Sequence, residues 1–149
     1  MWASSLAHNG LTGCGNDGGD FASHLLEHEM GGMFDVTHGA GLAAVWPSWA
    51  RYVYKEDLHR FVRYAEKVMG VVCEDQMTDE DMALAGIAAM EDFYHSIDMP
   101  VNMSELGIHP TEEQILEMAA SCARAVGGCI GSAKVLHEED MIKIYKMAL

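Results

Sequence analysis

The chain has 149 residues, half of them hydrophobic and 21% charged, a balance that suits one compact domain with a real core and excludes disordered or collagen-like chains. Nine Lys and Arg stand against 23 Asp and Glu, a formal charge of -14. That charge would repel a phosphate backbone, so no nucleic acid is expected as a partner.

In chain order, residues from Met1 to His8 read as helix, ending at Asn9 and Gly10, although nothing precedes Trp2 to cap the first turn. Asp20 can cap a second helix carrying His24, Glu27 and His28, after which Gly31 and Gly32 are expected to let the chain reverse towards His38. Leu42, Val45, Trp46 and Trp49 form an apolar stripe, and Pro47, which lacks an amide donor, is expected to kink or divide the segment between His38 and Lys55. The apolar run there is also too short for a membrane span of roughly 20 residues, so no membrane partner is expected. The clearest helix covers Asp57 to Met69, with Leu58, Phe61, Val62, Ala65, Val68 and Met69 on one face and Gly70 at its end.

Thr78 then offers a hydroxyl cap, and Asp79, Glu80 and Asp81 bring carboxylates to the positive pole of the next helix. The buried stripe expected on it is Met82, Gly86, Ala89, Met90, Phe93 and Ile97. Thr111 and Gln114 make a capping-box pattern ahead of Ile115, Met118, Ala119 and Cys122, and Gly127 stops that helix. A last amphipathic helix runs through Met141, Ile144, Tyr145 and Ala148. Period 3.6 dominates throughout and no alternating strand pattern stands out, so the fold expected is all-α, a single domain over 1–149. Cys14, Cys73, Cys122 and Cys129 lack zinc-knuckle or redox spacing and are expected to be reduced, buried residues in a cytoplasmic protein without a secretory leader.

Chemistry concentrates between Asp20 and Gly39. His24 and His28 sit one helical turn apart on the same face, and the reversal can return His38 to them, giving three imidazoles that suit a divalent metal. Each ligating histidine also needs an acceptor for its other nitrogen. A structural reading competes with the metal reading at about even weight, because isolated helical histidines are usually hydrogen-bonded or solvated. His59, His95, His109 and His137 have no such neighbours and read as solvated. His24, Glu27 and His28 also spell the His-x-x-Glu-His pattern of a zinc protease, with Glu27 as general base, but five-residue motifs recur by chance.

Taken together, MWASSLAHNGLTGCG, DFASHLLEHEMGGMFDVTHGAGLAAVWPSWARYVYKE, TDEDMALAGIAAMEDFYHSIDMPVNMSELGI and EEDMIKIYKMAL resemble the C-terminal domain of iron-containing (group III) alcohol dehydrogenases, in their butanol dehydrogenase-like branch. The resemblance covers essentially the whole chain and implies the helical half of a dehydroquinate synthase-like fold, with an NAD(P)-binding α/β domain preceding it. It implies that His24 and His38 are metal ligands, that His28 lies towards nicotinamide and substrate, and that the metal is iron, with zinc as the alternative. It further implies hydride transfer between NAD(P) and a primary alcohol or aldehyde.

The family's aspartate and third histidine ligand lie on an earlier helix that has no counterpart here, and the Gly-rich phosphate-binding region of the family's nucleotide domain is likewise expected to be missing. The expectation is therefore a domain truncated on its N-terminal side and inactive alone, one that self-associates or docks on the missing domain. Trp2, Trp46 and Trp49 are candidates for an exposed apolar patch there, against a buried-core role that carries twice the weight.

Overall fold

The computed structural model describes residues 2–14 and 19–149; Met1, which the sequence placed in the first helix, lies outside them. Eight α-helices make up the fold among the described residues, with one isolated antiparallel bridge between Ile130 and Leu136 and no strand. They are α1 (Trp2–His8), α2 (Ala22–Phe34), α3 (His38–Val53), α4 (Leu58–Lys67), α5 (Asp79–Ser96), α6 (Met103–Leu106), α7 (Glu112–Val126) and α8 (Glu138–Met147). Among the described residues no helix is long and apolar enough to cross a membrane.

Local chemistry sets several of these boundaries. Thr78 accepts a hydrogen bond from the Asp81 amide while the Asp81 carboxylate accepts one from the Thr78 amide, and Thr111 and Gln114 repeat the arrangement ahead of α7. Gly127 closes α7 in the left-handed region, at φ 83°. Asp20 stands one residue before Phe21, the N-cap of α2, and is not itself the cap, but its carboxylate accepts from the Ala22 amide at 2.7 Å. Its other oxygen accepts from the amides of Ser132 and Ala133, both at 2.8 Å, tying the start of α2 to a loop more than a hundred residues away.

The core lies where α2, α3, α7 and α8 meet, with α4 and α5 packed as a pair alongside α3. Leu26, Met30, Ile115, Met118, Met141, Ile144 and Tyr145 are all buried there, each contributing about 1.5–3 kcal/mol through removal from water. The buried Tyr145 hydroxyl donates to the Leu26 carbonyl at 2.7 Å and pins α8 against α2.

Five expectations need correcting. Gly31 and Gly32 do not make the reversal. Both are helical within α2, and the chain turns at Asp35, whose φ of 53° lies in the left-handed region that Asp tolerates. Pro47 does not divide its segment, because α3 runs unbroken through it. Burial of α3 against α2, α5, α6 and α8 outweighs the roughly 3 kcal/mol cost of an interior proline.

On α5 the buried residues are Met82, Ala83, Gly86 and Ile87, whereas Phe93 and Ile97 are each 49% exposed. The ten-residue α4 is too short to cover an 18-residue partner. Of the cysteines only Cys122 is buried, and Cys14, Cys73 and Cys129 are exposed. Val68 is also exposed, because α4 ends at Lys67 before that position can face the core. Of the tryptophans, Trp2 is exposed, Trp49 is buried and Trp46 is intermediate.

Candidate metal centre

The turn between α2 and α3 brings together side chains from both helices. His24 and His28 project from α2, and His38 is the first residue of α3. The His38 ring lies between the other two, with its centroid 5.5 Å from that of His24 and 5.4 Å from that of His28. The three histidines singled out by spacing therefore meet at one place, and His38 remains half exposed, so the cluster opens to solvent.

Burial is the first cause that holds the His24 imidazole below its ordinary value, followed by charge repulsion from His38, His8 and His28, with Glu27 opposing. Each of these first causes favours the neutral ring, the form a metal ion binds.

Two residues at this place, His8 and Phe21, had not been assigned to it. His8, from α1, puts its ring 5.8 Å from that of His24, and Phe21 flanks both at 6.3 and 5.3 Å. His8 is sixteen positions from His24 with no local motif, so its approach depends on how α1 packs. Glu27 is 2% exposed, and its carboxylate Oε2 pairs with His38 Nδ1. In the protease pattern Glu27 would be a general base facing substrate; here it is buried and engaged.

Glu27, His28 and His38 each offer a ligand atom within 4.8 Å of the others. Imidazoles with one carboxylate form a donor set that fits a divalent iron or zinc ion. His59, His95, His109 and His137 are exposed and stand apart, with His95 paired to Glu105 at 3.0 Å.

Residues 1–149 match the family described as Fe-containing alcohol dehydrogenase, C-terminal. Among curated relatives, NADH-dependent butanol dehydrogenase A of Clostridium acetobutylicum is 36% identical over 147 residues, which is 98% of this chain and 36% of that protein. The crystal structure of NADH-dependent butanol dehydrogenase A from Thermotoga maritima superposes with a TM-score of 0.86 at 33% identity, over 99% of this chain and 37% of that one. The aldehyde reductase YqhD from Escherichia coli superposes with a TM-score of 0.88 at 26% identity, over 100% of this chain and 38% of that one. The chain thus spans little more than a third of the length of these relatives.

Proposed function

The chain belongs to the Fe-containing alcohol dehydrogenase family, as its C-terminal domain, and from that premise we propose that it is the metal-holding part of an NAD(P)-linked alcohol dehydrogenase or aldehyde reductase. The observation that carries the reading is the meeting of His24, His28 and His38 across the α2–α3 turn. In this reading His24 and His38 hold a divalent iron or zinc ion, and His28 faces nicotinamide and substrate. When bound, such an ion supplies Lewis-acid polarisation of a carbonyl oxygen. His28, exposed and beside His38, is placed to move a proton to or from the oxygen of the alcohol, or to orient the nicotinamide.

The substrate class is a primary alcohol or its aldehyde, and the partner is a nucleotide-binding domain or a second copy of the chain. The 149 residues alone are inactive in this reading, because they span little more than a third of the NADH-dependent relatives and the described residues form no α/β nucleotide-binding domain.

A second assignment of the same site has one observation in its favour: the atoms within 4.8 Å of one another belong to Glu27, His28 and His38. There His28 is a ligand in place of His24. Calorimetric titration of the metal-free chain with Co2+ separates the two. The proposal expects one equivalent bound, an affinity loss of about tenfold or more in His24→Ala and in His38→Ala, and near-native binding in His28→Ala. Strong binding by His24→Ala with loss in His28→Ala would transfer the ligand role to His28. NADH-dependent reduction of butyraldehyde by the isolated chain would refute its inactivity.

A further inference from the structure

Among the described residues Glu27 is the one buried carboxylate, at 2% exposure, and burying a carboxylate is costly unless its charge is met. Among the described residues its ion-pair partner is His38, through Nδ1, and no Lys or Arg pairs with it. The space it occupies is made by an absence. A β-carbon added at Gly41 would fall 2.6 Å from Glu27 Oε1 and 2.8 Å from its Cγ, well inside contact distance, while one at Gly31 would lie 3.4 Å from Oε1. Gly41 itself is buried in the first turn of α3, three residues after His38. The sequence thus leaves out a side chain on one helix where the carboxylate of the other must fit.

The geometry points to Glu27 as a positioning residue for the metal centre. By accepting a hydrogen bond from His38 Nδ1–H, it fixes the ring's tautomer and rotation and leaves Nε2 as the nitrogen free to ligate. This inference rests on the metal-holding role given to His38 above. A carboxylate behind a ligating imidazole raises the ring's basicity as well as orienting it, and its loss ordinarily weakens metal binding by about 10- to 100-fold. The carboxylate arises one turn from His24 and next to His28 on α2 and reaches across to α3, so it also fixes how the two helices present their imidazoles to one another.

The test uses Glu27→Leu, which replaces the carboxylate by an apolar group of similar volume, and Glu27→Gln, which keeps an acceptor oxygen. Two readouts are taken. The first is the His38 ring tautomer in the metal-free chain, from long-range proton–nitrogen correlation spectra at a pH where the ring is neutral. The second is Co2+ affinity with the accompanying visible spectrum.

The expected result is Nδ1–H in the wild-type chain and in Glu27→Gln, a change to Nε2–H in Glu27→Leu, and a 10- to 100-fold weaker Co2+ affinity in Glu27→Leu with a smaller loss in Glu27→Gln. Persistence of Nδ1–H in Glu27→Leu, or unchanged Co2+ affinity, overturns the role. So does a change of cobalt coordination in Glu27→Gln as large as that in Glu27→Leu, which would make Glu27 a ligand itself. If the wild-type chain binds no Co2+, the metal-centre reading fails by itself, and the tautomer comparison still decides whether Glu27 sets the His38 ring.

Discussion

Gly39 and Gly41 both lie in the first turn of α3, yet alanine should have opposite effects at the two positions. A β-carbon at Gly39 meets nothing within 4 Å, so Gly39→Ala gains only from reduced freedom in the unfolded chain, about 0.4–1 kcal/mol. At Gly41 the same gain competes with contacts of 2.6, 2.8 and 3.1 Å to Oε1, Cγ and Cδ of Glu27. Normal carbon–carbon separation is about 3.5–4.0 Å, so the Glu27 side chain must move by roughly 1 Å, and burial leaves it nowhere to go. Overpacking of this kind costs about 1–3 kcal/mol, which leaves Gly41→Ala destabilised by about 1–2 kcal/mol after the propensity gain.

For a chain of this size each kcal/mol moves the melting temperature by about 2–4 °C. Thermal melts of the metal-free chain should therefore show Gly39→Ala slightly raised and Gly41→Ala lowered by about 2–8 °C. In a Glu27→Ala background the obstructing atoms are gone, and Gly41→Ala should become as harmless as Gly39→Ala, a coupling that a double-mutant cycle measures directly. Equal melting temperatures for the two glycine variants, or an undiminished penalty in the Glu27→Ala background, would refute the claim that residue 41 is small to admit Glu27.

Gly86 poses a similar conflict between α4 and α5: its added β-carbon would lie 2.5 Å from Ala65 Cβ and 2.8 Å from Ala65 Cα, and backbone cannot step aside. Gly86→Ala should lose about 1–2 kcal/mol in urea denaturation, and Ala65→Gly should recover part of the clash; a stabilised Gly86→Ala would contradict the close approach. The hydroxyl of Thr78, and then its amide, hold the Asp81 carboxyl below the usual carboxylate range. That contribution is present above the unfolded value of about 4 and lost as pH falls through the lower folded value. The melting-temperature gap between the wild-type chain and Asp81→Asn should accordingly narrow on acidification, and a pH-independent gap would count against the capping box as its source. Burial, and after it the charge of Glu29, push the Cys122 thiol up to about 11. Thiol titration of the folded chain should find Cys14, Cys73 and Cys129 reacting quickly and Cys122 only after unfolding; four equally fast thiols would contradict the packing around α7.

What the sequence made legible was mostly local. Thr78 with Asp81 and Thr111 with Gln114 fix helix starts within one turn, and the faces of α7 and α8 follow from their own periodicity, so these were readable directly. The meeting of His24, His28 and His38 was readable because the chain reverses between them over a few residues. Its cause was misplaced, since a left-handed Asp35 does what Gly31 and Gly32 were expected to do. Features that depend on distant packing left no mark. His8 reaches His24 only through the placement of α1, Pro47 is carried by burial of α3, and Phe93 and Ile97 stay exposed because α4 ends early. Glu27 was visible as part of a short motif, but its real partner, His38, lies outside that motif.

The bond from the Tyr145 hydroxyl to the Leu26 carbonyl joins the residue preceding Glu27 to a helix formed more than a hundred positions later. Amide protons of α2 and α8 should therefore open together rather than in sequence, since neither helix can swing away without leaving that carbonyl–hydroxyl pair stranded in an apolar interior. Rigidity at the histidine cluster is then maintained from the core, by a tyrosine on a different helix from any of its imidazoles.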